Sequence, residues 1–482
     1  MLCMAACLAL APVAAARVAK RPPVPVPVSI EGLQPGAPVP ADFLGLSFEA
    51  SSLAQVAGYV ERGDLVTLLR SLGPGVLRFG GVSADTRVAW TDGATARPPW
   101  ASAVLDSEDL RRLGGLAAES GWRILLTIGL GHYEPQRAAR EAAAAHTFLG
   151  ESLEAIELGN EPNAYAQHGL RSEPWSVVQY DEQIAGYRSA IDAAAPGIAL
   201  AGPDVSGSSA FESWGLGEVI NQPPALLTGH HYPLGCEEQP PPTIARLLSA
   251  AIRQREGTSL RRYMSLTEGS ETPFRLDEAN TVSCGGLPGV SNTFGSALWA
   301  TDYVVRAMST GVAGINLQGN PSNCQGYAPL CARTPEDLVA GTLSAQPEWY
   351  ALLLARALSG ERPLGGTFSP PGQPNLDVTA FLAADGALHF VLVDDALPGA
   401  RRLAVRLQLG SGFGDASILS LTAPSPASLT DVRLGARAVT GAGSWSEPAR
   451  LPLAANRKGV ISLDLRPSSA ALVAVSRLSG AP

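Results

Sequence analysis

Between residues 41 and 345 the chain repeats one pattern, a short apolar run followed by a longer segment with helical spacing. The runs lie at 43–49, 76–79, 123–128, 155–158, 198–202, 227–232, 274–278 and 314–317. Helical stretches separate most of them, for example at 65–72, 107–120, 179–195, 243–256 and 293–310. Strand and helix in alternation produce parallel pairing, because a parallel neighbour is reached only by a crossover that returns to the same end of the sheet. Eight such units in about 300 residues predict a (β/α)8 TIM barrel over 41–350. A doubly wound open sheet is the competing arrangement, but no Gly-rich phosphate loop follows the first run to support it.

After about residue 355 the texture changes. Runs at 378–381, 388–393, 403–407 and 471–475 are short, β-rich and separated by turn residues, the pattern of an antiparallel β-sandwich over 355–482. Near the start, Val24-Pro25-Val26-Pro27-Val28 has strand composition with prolines that restrict it to an edge. The segment 17–40 is therefore expected to pair with the C-terminal sandwich. A chain of 482 residues exceeds one ordinary core. With 46% apolar and 16% charged residues it is a folded protein rather than a disordered one.

Residues 1–16 carry no charge, are rich in Ala, Leu and Val, and end in Ala14-Ala15-Ala16 before Arg17. That reads as a secretory signal peptide and predicts an exported protein. A lipid anchor on Cys7 is the lesser alternative, since almost no apolar stretch precedes it. No other run approaches a membrane span. The formal net charge of −9 argues against a nucleic-acid partner and against long-range attraction of highly sulfated polymers. Behind the signal remain Cys236, Cys284, Cys324 and Cys331, an even number suited to an oxidising compartment. Of the three connectivities open to four cysteines, the favoured one joins Cys324 to Cys331 across a short loop and Cys236 to Cys284 across two successive post-strand loops. A metal site on His230, His231 and Cys236 would match no standard zinc spacing, so no metal and no organic cofactor is expected.

Two carboxylates stand out at strand ends. Glu161 follows Gly159-Asn160 and precedes Pro162 after the fourth run, and Glu278 ends the seventh. A barrel presents its chemistry at the C-terminal ends of its strands. Two carboxylates facing each other there suit glycoside cleavage, one protonating the leaving oxygen while the other attacks or activates water. Asn160 is placed to hold a sugar hydroxyl. Glu268 competes with Glu278, but it is expected in a polar loop ahead of the seventh run, at the wrong end of the barrel.

The segments Leu77-Arg78-Phe79-Gly80-Gly81, Gly159-Asn160-Glu161-Pro162, His230-His231-Tyr232 and the loop from Glu278 to Gly286 resemble, in this order, motifs of glycoside hydrolase family 79, which holds heparanases and β-glucuronidases. Leu421-Thr422-Ala423-Pro424-Ser425 resembles a sandwich segment of the same family. The resemblance implies Glu161 as acid/base and Glu278 as nucleophile, with retention of configuration and a β-linked glucuronic acid at the cleavage point. It implies that Arg78 lies beneath the nucleophile with Asn280 as a further support. It also implies that His231 and Tyr232 bind the sugar ring or orient Glu278, and that Tyr327 binds substrate. The amides of Gly285 and Gly286 are expected to meet the uronate carboxylate, and Glu49 a distal hydroxyl. Ser283 stands where some relatives carry a bulkier aromatic residue.

The combined expectation is an exported exo-β-glucuronidase that removes glucuronic acid or its 4-O-methyl form from uronic-acid-containing glycans. An endo-acting enzyme of heparanase or hyaluronan type is the runner-up. A barrel glycosidase for neutral sugars and a non-catalytic glycan-binding protein are the remaining alternatives.

Overall fold

The computed structural model describes residues 21–478 apart from 30, 31, 33, 94, 95, 374, 410, 411, 442 and 457. The expected signal at 1–16 and Cys7 lie outside the described residues. Eight parallel strands close into a barrel in chain order: Leu44–Glu49, Val76–Gly80, Arg123–Ile128, Leu153–Leu158, Leu200–Ser206, Leu226–His231, Phe274–Ala279 and Gly314–Gly319. The eighth strand returns to the first, with Ile315 opposite Leu44. Their side chains read as nearly continuous buried runs, as strands covered on both faces must.

The helices that follow these strands are Leu65–Leu72, Ser107–Ser120, Pro135–Leu149, Val177–Ala194, Ser208–Asn221, Ala250–Ser270, Phe294–Thr310 and Pro347–Ala355. Local chemistry sets their ends. Asp106 caps Ser107–Ser120 by accepting from the amides of Glu108 and Asp109, and Gly121 closes that helix in the left-handed region. Leu110, Leu113, Leu116 and Ala117 form its buried stripe. The last helix begins with Pro347 at its first turn and carries the barrel past residue 350.

Two expectations are corrected. The fifth strand runs through Pro203 to Ser206 instead of stopping at Gly202, because a register shift between Pro203 and Val205 absorbs the proline. The sixth helix extends to Ser270, so Glu268 sits in a helix and not in a loop.

Beyond the barrel, a sheet built on Leu376–Leu382, Leu388–Asp394, Ser469–Arg477 and Phe413–Thr422 packs against a three-stranded sheet of Val24–Ser29, Leu403–Gln408 and Val460–Leu465. Val24–Ser29 is an edge strand; Pro25 and Pro27 face solvent while Val26 and Val28 enter the core. The larger sheet is buried on its other face as well. Phe390 and Leu392 meet the small sheet, while Val391 and Val393 join the barrel's core. Helix Phe294–Thr310, wedged between barrel and sheet, is consequently apolar on most of its circumference. Among the described residues no helix is long and apolar enough to cross a membrane.

Candidate active site

A cleft of about 940 Å³ opens at the C-terminal ends of the barrel strands, and Glu49, Asn160, Glu161, His230, Glu278 and Tyr327 line it. Backbone irregularities put the carboxylates there. Successive residues of a regular strand point to opposite faces. The seventh strand shifts register between Leu276 and Glu278, so Asp277 and Glu278 both reach Arg78. Asp204 and Glu161 adopt left-handed backbone conformations, with φ of 56° and 51°. Such conformations are uncommon for residues with a side chain and gather at functional sites. They direct both acids to His230. The Gly80-Gly81 pair leaves room for this crowding, since a Cβ on Gly80 would lie 2.5 Å from the Arg78 guanidinium and one on Gly81 2.5 Å from the Glu49 carboxylate.

Arg78 is fully buried at the centre. Its Nε donates to Glu157 at 2.8 Å, Nη1 to Glu278 at 2.7 Å, and Nη2 to Asp204 at 2.7 Å and Asn160 at 3.0 Å. Asp277 Oδ2 lies 2.8 Å from the same Nε, but the single Nε hydrogen goes to Glu157, so this contact is electrostatic and the oxygen accepts no hydrogen bond. Burial raises the pKa of Glu157 to about 7, with the Asp277 charge adding to it, and that of Asp277 to about 6. For Glu278, burial is outweighed by the charges of His230 and Arg78 and by the Tyr232 hydroxyl, which donates to it at 2.7 Å. Its carboxyl is held below the ordinary glutamate range, and it is therefore ionised.

Burial opposes a charge on His230, but Asp204, Glu278 and Asp277 overcome it and raise its pKa well above the usual value. As an imidazolium it donates from both nitrogens, Nε2–H to Asp204 at 2.6 Å and Nδ1–H to Glu161 at 2.9 Å. The same Nδ1 is 4.0 Å from Glu278 Oε1.

The other expected residues differ in what they meet. Tyr232 and Tyr327 stack with ring centres 5.8 Å apart on the Glu278 side of the cleft, and Glu49 accepts from the Ser83 amide. His231 lines the cleft but turns to Glu256 at 3.4 Å and stacks on Tyr303, so the histidine that meets Glu161 is His230. The Gly285 amide donates to the Tyr327 hydroxyl at 3.1 Å and the Gly286 amide to the Ser283 carbonyl. Neither is left for a ligand, because the loop turns inward to close on itself. Asn280 is fully buried and donates to the Gln318 carbonyl and to Glu348. Asn160 uses its carbonyl oxygen on Arg78, so its amide is the group it offers to the cleft.

Comparison with known proteins adds to this geometry. No family model matches the chain. Among curated proteins, a β-glucuronidase of Aspergillus niger is 28% identical over 39% of this chain and 38% of its own length. A β-glucuronidase of Neurospora crassa is 25% identical over 41% and 37%. The matches thus span well under half of those relatives. Among solved structures, a 4-O-α-L-rhamnosyl-β-D-glucuronidase from Fusarium oxysporum 12S superposes with a TM-score of 0.74 at 18% identity, covering 93% of this chain and all of that one. A family 51 arabinofuranosidase from Xanthomonas axonopodis gives 0.63 at 15% identity, covering 94% and 100%. The fold is that of a glycosidase barrel.

The mouth of the barrel is tied by a disulfide between Cys236 and Cys284, in the loops after the sixth and seventh strands, and a second one joins Cys324 to Cys331. Cys236 is thereby unsuited to bind a metal with His230 and His231. Asp204, His230 and Asp277 bring ligand atoms within 4.8 Å of one another. Arg78 already neutralises both aspartates at 2.7 and 2.8 Å, and a protonated His230 has no lone pair to offer. Sequence reasoning did not assign roles to Glu157, Asp204, Asp277 and His230. The available signal was a charged residue inside an apolar run, as Glu157 stands between Ile156 and Leu158.

Proposed function

We propose that this protein is an exported, retaining exo-β-glucuronidase related to glycoside hydrolase family 79. The observation that carries the reading is the placement of Glu161 and Glu278 about one imidazole, at 2.9 and 4.0 Å from its Nδ1. Those distances cap the separation of the two oxygens at about 7 Å, which admits the roughly 5–5.5 Å of a retaining pair and excludes most of the wider inverting range. Ionised Glu278 attacks the anomeric carbon while Glu161, sharing a proton with His230, protonates the departing oxygen. Water then hydrolyses the glycosyl-enzyme with Glu161 as base. The Asn160 amide is placed for the sugar's 2-hydroxyl. Tyr232 gives its hydrogen to Glu278, and Tyr327 accepts from Gly285. The Tyr327 O–H, whose alternative acceptor is the Tyr232 oxygen at 3.4 Å, is the donor assigned to the substrate carboxylate.

Exo action on a terminal uronate is favoured over cleavage within a sulfated polymer. Among the described residues lining the cleft, Arg255 is the single arginine or lysine, which is little positive charge for a polyanion. Export is supported by the opening stretch and by two disulfides. The test is hydrolysis of 4-nitrophenyl β-glucuronide beside the matching β-glucoside and β-xyloside, with Glu161→Gln as control. Glucuronide-selective release that is lost in the control is expected. Release from the neutral glycosides instead would favour the neutral-sugar reading.

A further inference from the structure

The backbone around Glu161 is held from two sides. Its own amide donates to the Asp204 carbonyl at 2.8 Å, and the amide before it, that of Asn160, donates to Asp85 Oδ2 at 3.0 Å. Glu161 itself keeps a left-handed φ of 51°, a conformation that persists only where the surroundings over-determine it. Asp204 belongs to the cluster around Arg78, whereas Asp85 lies outside it and does not line the cleft.

Asp85 stands in the short helix Val82–Thr86 that follows the second strand, and it is 2% exposed. Besides the Asn160 amide it accepts the Leu130 amide at 2.7 Å, the Gly131 amide at 3.0 Å and the Tyr165 hydroxyl at 2.8 Å, all on Oδ1. Leu130 and Gly131 lead out of the third strand, Asn160 and Tyr165 out of the fourth. One carboxylate thus ties three strand exits together. Glycines let these loops approach so closely, since a Cβ on Gly129 would overlap the Ala84 carbonyl, one on Gly131 the Asp85 carbonyl and one on Gly159 the Tyr165 hydroxyl. Burial raises the Asp85 pKa to about 6 while the four donors oppose the rise, so at pH 7 the group is ionised and accepts from all four. The nucleophile has separate supports. Glu278 is held by Arg78, Tyr232 and the charge of His230, and the four bonds to Asp85 involve none of the three.

We propose that Asp85 is a positioning residue for the general acid: through the Asn160 amide it sets where Glu161 meets the leaving oxygen, and it touches no substrate. This rests on the reading of Glu161 as the acid of a glucuronidase. A displaced acid slows the departure of a basic leaving group, which needs the proton, and spares a weakly basic one, which leaves as an anion. The signature of Asp85 is therefore a dependence on the leaving group and not a uniform loss.

The test compares kcat/KM at pH 7 on methyl β-glucuronide and 2,4-dinitrophenyl β-glucuronide, because this constant covers only the steps up to release of the leaving group. Glu161→Gln sets the scale, and should lose the methyl glucuronide while sparing the dinitrophenyl one. Asp85→Asn puts an amide among four donors, so one of them loses its acceptor. It should lower the methyl glucuronide roughly 10- to 100-fold, the range for an unpaired buried donor, with the dinitrophenyl substrate nearly unchanged. Tyr165→Phe removes a donor from the other carboxylate oxygen and should leave the ratio of the two substrates as it is. Asp85→Glu, which keeps the charge, serves where Asp85→Asn is too unstable to assay, and should shift the ratio in the same direction. Equal losses on both substrates, no loss on either, an equal ratio shift in Tyr165→Phe, or failure of both Asp85 variants to fold would leave Asp85 a merely structural role and overturn the proposal. If Glu161→Gln lowers both substrates equally, or the unaltered protein hydrolyses neither, the reading of the acid or of the activity fails, and this inference with it.

Discussion

The molecule holds two buried clusters in which carboxylates outnumber cations, one at the barrel mouth and one where the barrel meets the C-terminal sheet. At the mouth, Glu157, Asp204, Asp277 and Glu278 surround Arg78, with His230 beside them. At the joint, Asp302, Asp377 and Asp395 surround Arg253, and Arg306 reaches Asp302 and Asp377. At the mouth, Arg78, His230 and Tyr232 converge on the carboxylate that meets the cleft, so Glu278 keeps its charge and excess protons fall to Glu157 and Asp277 behind it. No carboxylate of the joint lines the cleft. Burial and mutual repulsion raise Asp377 to about 8, burial raises Asp395 to about 7, and Asp302 is held low by Arg306 and Arg253 in spite of burial. The same ingredients give an ionised carboxylate where one member meets a cleft, and a proton-sensitive joint where none does.

The contrast breaks most completely at Glu278. Glu278→Gly should lower kcat on the order of 10⁴-fold or more, and azide should restore turnover with an α-azide product. Rescue of Glu268→Gly in its place would move the nucleophile out of the cluster. Next in size is Arg78→Lys, which keeps one charge but loses the fork that serves three carboxylates and Asn160. Chemical denaturation should show a loss of about 3–5 kcal/mol, the cost of leaving buried carboxylates short of a partner. Because Arg78 helps hold the Glu278 pKa down, the acidic limb of kcat/KM should move to higher pH. Tyr232→Phe sharpens the point with a smaller effect. Losing one hydrogen bond to an ionised carboxylate should cost about 10- to 100-fold in kcat/KM, with a lesser shift of the same limb; no shift would mean that Arg78 and His230 suffice.

How far these clusters could be read in the sequence follows from their backbone. The barrel was legible because eight apolar runs recur at helix-sized intervals, and Glu161 and Glu278 because strand ends are where a barrel exposes carboxylates. Asp277 was not, since strict alternation sends it and Glu278 to opposite faces, and only the register shift brings both to Arg78. Asp204 was hidden behind Gly202-Pro203, read as the end of a strand that in fact continues. Nothing in a string of residues told His230 from His231. The difference is made by Asp204 and Glu161, which arrive from two other strands. The joint was wholly illegible, because Arg253 and Asp377 meet across more than a hundred residues of chain.

The smallest effect tests the joint. An unfolded aspartate titrates near 3.9, whereas Asp377 and Asp395 titrate in the folded protein at about 8 and about 7, chiefly because they are buried. Asp394, raised to about 7 by burial, adds in the same direction. Groups that bind protons more tightly when folded stabilise the fold below their unfolded pKa, and that contribution is lost as pH rises through the folded value. The joint should therefore be tightest near pH 4 and loosen toward pH 8. Asp302, held below its ordinary value, acts oppositely but only in acid. Asp377→Asn keeps an oxygen for Arg253 and Arg306 and turns an amide N–H toward the Ser369 hydroxyl, which can accept it, while remaining neutral throughout. Calorimetry of both proteins from pH 5 to 8 should show the variant's Tm falling less, by roughly 2–4 °C at pH 8, with kcat/KM on the glucuronide unchanged at every pH. Parallel Tm curves would mean that Asp377 is ionised when folded, and that the two clusters hold their charge alike.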